Sequence, residues 1–186
     1  MVGQIAADFA VTGSRLYDLG CSTGTTLLTL DPLGAPGGGF VGGDSSPEML
    51  ERARAKLAQG GVTRKCDLQC ADLNNGVVIA NASIVIMNLT LQFVRPLRRQ
   101  KLIANIAKGL RPEGCLVLVE KVLSRHSTLN RFFIKYYYAF KQRNGYSQLE
   151  ISQKREALEN VLIPYRVEEN MDLLLTHGFS QCDVFF

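Results

Sequence analysis

At 186 residues the chain is long enough for one buried core and short for two, so residues 1–186 are expected to form a single α/β domain. With 46% hydrophobic and 20% charged residues it is neither disordered nor fibrous. No apolar run approaches the roughly 18 residues that span a bilayer, and no basic stretch followed by an apolar one opens the chain, so neither membrane insertion nor export is expected.

The net charge of +4 is too small to imply a nucleic-acid binder, but it is spread unevenly: −2 over 1–94, +11 over 95–155 and −5 over 156–186. The positive middle segment suits an anionic ligand or RNA, and equally a set of solvated helix faces. Five cysteines without regular spacing argue against a disulfide framework and for a reducing, cytoplasmic setting.

Apolar runs and helical patterns alternate along the chain. Arg15 to Leu19 reads as a short buried strand, Gly20 to Gly24 as a turn, and a short helix follows from Thr25. After the glycine-rich loop Gly34 to Gly39, Phe40 to Gly43 forms a second strand ended by Asp44. Ser46-Pro47 is a helix cap with proline in the first turn, and Met49, Leu50, Ala53 and Leu57 recur at helical spacing. Cys66 to Cys70 alternates as a third strand, and Ala82 to Met87 is uniformly apolar, as in the covered centre of a parallel sheet. Arg95 to Leu110 is a basic amphipathic helix closed by Arg111 to Gly114, and Cys115 to Val119 is a fifth strand. Helical patterns fill His126 to Lys141 and Ser147 to Val161, with Asn144-Gly145 between them. A last helix, Val167 to His177, ends at Gly178, and Phe179 to Phe186 reads as a strand.

This alternation means a doubly wound, mostly parallel α/β sheet of Rossmann-like type. Its ligand crevice is expected at the carboxyl ends of the first, second and fourth strands, where the strand order switches.

The sharpest local signal is Asp18-Leu19-Gly20-Cys21-Ser22-Thr23-Gly24 between a strand and a helix. Gly20 permits a tight turn, and Gly24 lets the helix approach the strand closely. Ser22 stands where a dinucleotide fingerprint has its middle glycine, which disfavours NAD or FAD. Asp44 ends the second strand, where a carboxylate can accept hydrogen bonds from both hydroxyls of a ribose. Asp72 follows the third strand, within reach of an adenine amino group or simply capping the next turn. Asn88 ends the fourth strand and faces the crevice or a loop. His126 and His177 read as structural or surface residues. Cys66 and Cys70 share one strand face without the partners a zinc site needs, so no metal is expected. The aromatic run Phe132 to Tyr138 could stack RNA bases, but at helical spacing it reads better as a core or dimer face.

These elements resemble a class I S-adenosylmethionine-dependent methyltransferase. More specifically, Tyr17 to Ser22, Asn88 to Phe93, Glu120-Lys121, Phe140-Lys141 with Asn144 to Ser147, and Glu150 to Arg155 with Leu158 to Val161 resemble the carboxy-S-adenosyl-L-methionine synthase family. General methyltransferases lack the block from Asn144 to Val161.

The resemblance implies conversion of S-adenosyl-L-methionine and prephenate to carboxy-S-adenosyl-L-methionine, with phenylpyruvate and water released. A sulfonium ylide would capture the carbon dioxide lost by prephenate. The product would pass to a tRNA carboxymethyltransferase acting on the wobble uridine, with no direct tRNA contact by this chain. It further implies that Gly20, Cys21 and Ser22 lie against the cofactor, Asp44 and Ser45 at the ribose, Asp72 and Leu73 at the adenine, and Asn88 near the sulfonium.

Arg155 matches the family arginine that pairs with the new carboxylate, a partner that the planar guanidinium fork suits. A homodimer is implied, with a helical substrate or dimer segment at about 122–165. Family members also carry a leader segment and a final strand, so this chain is expected to be shortened at both ends, leaving an exposed sheet edge. The alternatives are an ordinary methyltransferase on a small molecule or tRNA, and a catalytically inactive nucleotide-binding module.

Overall fold

The computed structural model describes residues 2–33 and 38–185. The start of the expected glycine-rich loop, residues 34–37, and Phe186 lie outside the described residues.

Helix α1 (Val2–Phe9) opens the chain, followed by β1 (Arg15–Leu19), α2 (Thr25–Leu30), β2 (Gly39–Asp44), α3 (Pro47–Gln59), β3 (Cys66–Cys70) and β4 (Ala82–Asn88). Then come α4 (Pro96–Gly109), β5 (Leu110–Val119), α5 (Ser127–Arg143), α6 (Gln148–Leu158) and α7 (Val167–Thr176). The five strands form one sheet in the order β3-β2-β1-β4-β5, and every pairing is parallel. From β1 the chain winds outward through β2 and β3, then crosses back to β4 on the other side of β1. That reversal opens a crevice beyond the carboxyl ends of the strands.

Successive side chains of a strand point to opposite faces, so a sheet covered on both faces needs continuous apolar strands. In β4, Ile84 and Ile86 pack with Leu27, Leu30, Leu50 and Leu57 from α2 and α3. Val85 and Met87 pack on the other side with Leu102, Ile103 and Ile106 of α4 and Leu173 and Leu174 of α7. Ser46 caps α3 as its spacing predicts: its hydroxyl accepts from the Met49 amide at 3.2 Å, with Pro47 in the first turn.

Three elements differ from the sequence expectation. Helix α1 precedes the first strand, and only its Ala6 is buried. Strand β5 begins at Leu110 rather than Cys115, because Leu110 pairs with Ala82 before the register shifts and Cys115 pairs with Ile84. The Arg111–Gly114 turn occupies that shift, with Glu113 in left-handed backbone. Residues 179–185 form no strand; Phe179 and Cys182 pack against the core of α4 and α7 without a ladder. An alternating pattern records which side chains bury and leaves the backbone partner undetermined.

Asp18 is the most deeply buried acid of the sheet, 1% exposed, and its Oδ2 has no hydrogen-bond partner. Burial pushes its carboxyl from the usual 3.8 up to about 7, with repulsion from Asp44 adding and a hydrogen bond from Thr26 opposing. The folded state therefore keeps a proton that the unfolded chain releases near pH 4. The associated stability is fully present below that value and is lost as pH rises through about 7. Asp18→Asn should flatten the decline in Tm between about pH 4 and 8; an unchanged slope would show that Asp18 does not cause it.

Candidate active site

The turn after β1 is built on backbone contacts that a side chain would obstruct. Gly20 adopts φ 82°, and its N–H and that of Cys21 both donate to the Gly43 carbonyl at 2.7 and 3.0 Å. Gly24, at φ 74°, precedes α2, and a Cβ there would lie 3.2 Å from the Ala53 Cβ of α3. Its close approach is thus to a neighbouring helix rather than to the strand. From α3, Lys56 Nζ donates to the hydroxyls of Thr23 and Thr25 at 2.8 and 2.9 Å, holding the far side of the turn.

Ser22, at φ 48°, turns its N–H to Asp44 Oδ2 at 2.9 Å, while the Ser46 N–H donates to Asp44 Oδ1 at 2.9 Å. The Asp44 carboxylate is held through both oxygens, and each retains acceptor capacity for a ligand hydroxyl. At the end of β3, Asp72 Oδ1 accepts from the Asn74 amide at 2.9 Å and from its Nδ2 at 2.8 Å, capping the turn Leu73–Asn75. Asp72 thus caps the turn and lines the crevice at once.

After β4, Leu89 adopts φ 56°, its N–H donating to the Val119 carbonyl at 2.7 Å. A leucine in left-handed backbone is held there against its own preference. The segment that follows brings Thr90 over Gly20.

These strand ends enclose an open cavity of about 380 Å³. Of the expected residues, Gly20, Ser22, Asp44, Ser45, Asp72, Leu73 and Asn88 line it. Cys21 and Arg155 do not. The Cys21 side chain is buried beneath the turn, its Sγ against the Gly42 backbone, and burial with the nearby Asp18 and Asp44 pushes the thiol up to about 12. Only its backbone serves the turn. Arg155 lies exposed in the last turn of α6, outside the cavity lining.

The lining also contains residues to which the sequence reading assigned no role: Gly43, Ala71, Asn74, Leu89, Thr90, Phe93 and Val94. Leu89, Thr90 and Phe93 fall within the run Asn88 to Phe93 that resembles the synthase family, and Val94 follows it directly. The charged groups of the lining are Asp44 and Asp72, both acidic. A negative wall with apolar Leu73, Leu89, Phe93 and Val94 suits a cationic nucleoside and disfavours a pyrophosphate. Among the described residues no group of three or more His, Cys, Asp or Glu could hold a metal ion, and no helix is long and apolar enough to cross a membrane.

A Cβ on Gly20 would overlap the Thr90 hydroxyl and lie 2.6 Å from its methyl carbon. Gly20→Ala should therefore cost about 2–4 kcal/mol, combining left-handed backbone strain with the overlap. Adding Thr90→Ala removes the overlapping atoms and should recover only the steric part, as chemical denaturation would measure.

Comparisons with known proteins agree with this architecture. A methyltransferase-domain family matches residues 16–114. The YcgJ protein of Bacillus subtilis superposes with a TM-score of 0.69 at 16% identity, covering 95% of this chain and 66% of that one. The cyclopropane synthase MmaA2 of Mycobacterium tuberculosis gives 0.68 at 15%, covering 96% and 59%. At such identities the likeness shows the fold.

In sequence, the carboxy-S-adenosyl-L-methionine synthase of Methylococcus capsulatus is 56% identical over 187 residues, spanning 100% of this chain and 77% of that protein. The synthase of Citrifermentans bemidjiense is 43% identical, spanning 100% and 76%. These alignments span the cavity strands and also α5 and α6, which lie beyond residues 16–114 of the general methyltransferase match. The chain therefore belongs to the carboxy-S-adenosyl-L-methionine synthase family.

Proposed function

We propose that this chain converts S-adenosyl-L-methionine and prephenate to carboxy-S-adenosyl-L-methionine, releasing phenylpyruvate and water. The observation that carries the proposal is the 56% identity to a synthase of that name along the full chain. The cavity chemistry supports the choice of a sulfonium nucleoside. Asp44, with each oxygen already held by one backbone N–H, would take the ribose hydroxyls, with Ser45 beside it. Gly20 and the Ser22 backbone would let the ligand approach the turn, joined by Cys21 through its main chain alone. Asp72 and Leu73 would flank the adenine, and Asn88 would stand near the sulfonium.

Prephenate supplies carbon dioxide and a departing hydroxyl; the hydroxyl leaves as water with the proton given up by the activated methyl, so no side-chain base is consumed. Removing bulk water protects such a carbanion.

Arg155 is proposed to pair with the new carboxylate. The arm that carries it packs lightly: none of the 17 residues of α5 is buried, and only Ile151 of α6 is. Such an arm can move toward the cavity mouth at small cost. Its exposed side chains include Phe133, Tyr136, Phe140 and Leu149, a patch that needs cover. We assign residues 122–165 as the substrate and dimer segment of a single domain spanning 1–186, and a second copy of this chain as the cover. The product would go to a tRNA carboxymethyltransferase, and the protein would work in the cytoplasm.

Mass spectrometry of the small molecule released from denatured protein tests the reading directly. An adenosyl sulfonium heavier than S-adenosyl-L-methionine by one carbon dioxide is expected. The unmodified compound or its demethylated form would instead identify a methyltransferase. Arg155→Ala should weaken the carboxylated ligand at least about tenfold while leaving S-adenosyl-L-methionine within about twofold; equal loss of both would overturn its role. A Phe133→Asp, Tyr136→Asp pair should convert a dimer to a monomer in sedimentation.

A further inference from the structure

We infer that Glu120 and Arg99 are positioning residues that hold one wall of the cavity, the segment Leu89–Val94, by gripping its backbone from opposite sides. The inference rests on the proposed ligand only for what the wall then contacts. Glu120, just past the end of β5, takes three successive amides: Thr90 and Leu91 donate to Oε1 at 3.1 and 2.7 Å, and Gln92 donates to Oε2 at 3.1 Å. Arg99, on α4, takes the carbonyls instead. Its Nε donates to Val94 at 2.9 Å and its Nη2 to Gln92 at 3.3 Å and Ile163 at 2.6 Å.

Arg99 is 1% exposed, its guanidinium lies 4.2 Å from the Tyr165 ring centroid, and no carboxylate pairs with it among the described residues. A buried charge is retained only where hydrogen bonds replace its hydration. Here the three bonds named above go to backbone carbonyls, beside the Tyr165 side chain, and two of those carbonyls lie in the segment that Glu120 holds through its N–H groups. Burial pushes the Glu120 carboxyl up, while the three amides and the Arg99 charge oppose it.

What is gripped is functional wall rather than ordinary core. Leu89, Thr90, Phe93 and Val94 line the cavity, and Thr90 is the residue that meets Gly20. Leu89 stays in left-handed backbone at one end of the segment, where its carbonyl accepts from Gln92 Nε2 at 3.2 Å. Ile163, on the chain leaving the arm, donates its N–H to the Gln92 carbonyl at 2.8 Å and accepts from Arg99. The exit of the arm is thereby bonded to the same wall.

Glu120→Gln preserves shape but sets an amide nitrogen against one of the amide donors. Arg99→Lys keeps the charge but reaches one carbonyl where the guanidinium reaches three. In the full chain freed of co-purified ligand, each variant should speed hydrogen exchange at the Thr90, Leu91 and Gln92 amides by about tenfold or more, with β1 and β2 unchanged. S-adenosyl-L-methionine Kd by calorimetry should rise about tenfold in each, and by less than the product of the two in the double variant, since both free one segment.

Unchanged exchange in both variants would overturn the inference, as would faster exchange with unaltered affinity. Should the wild-type chain bind no S-adenosyl-L-methionine, the proposed function falls, and the exchange readout still decides whether the two residues hold the wall.

Discussion

At Gly20 three strand ends meet within van der Waals distance. The turn leaving β1 hangs on the Gly43 carbonyl of β2, and Thr90 from the end of β4 occupies the space where a Gly20 side chain would project. The crevice exists because this crossing has no Cβ. Once the turn lies against β2, the Ser22 N–H reaches Asp44, and the carboxylate that closes β2 is held in one orientation. A larger residue at position 20 would push apart the two halves of the sheet at the place where their order reverses.

Around that crossing, acidic side chains serve the backbone before they serve a ligand. Asp44 holds the ends of two elements, Asp72 caps the turn after β3, and Glu120 collects the amides after β4. Each turns a loop whose amides would otherwise need water into a wall with a set shape. Arg99 completes the arrangement from the carbonyl side. Such preorganisation suits the carbanion chemistry proposed above, because the wall would not have to rearrange when the ligand arrives. The α5–α6 arm is the opposite case. Its second helix starts on a capping box at Ser147 and Glu150, yet the arm contributes almost nothing to the core. The arm is thus left exposed, whereas the walls of the cavity are tied down by hydrogen bonds.

Much of the fold could be read directly from the chain. The strands β1 to β4 and the helix caps lie within a residue or two of their expected bounds, because apolar runs, proline at a first helical position and serine before it are local physics. The strand-end residues Asp44, Asp72 and Asn88 were legible for a similar reason: in a parallel sheet, position along a strand already says which end a side chain occupies. The burial of the Cys21 side chain was not legible, because motif membership does not say which side of a turn a side chain takes. Residues 179–185 were misread because burial periodicity says nothing about hydrogen-bond partners, and the slip at the start of β5 had no sequence signal.

The amino-acid order by itself determined the strand–helix alternation, the glycine turn and the acids at the strand ends, since each depends on neighbours within a few residues. The likeness to the synthases, which runs along the whole of this chain, is likewise a property of the order alone. Only the tertiary structure decided what Glu120 and Arg99 do. One reads as part of a motif and the other as one more charge on a basic helix, and nothing within several residues of either marks it for burial. Their partners lie 28 to 30 residues away for Glu120 and up to 64 away for Arg99. Bonds to backbone carry no side-chain signature in the partner, so contacts of this kind emerge only when the sheet has brought the loops together.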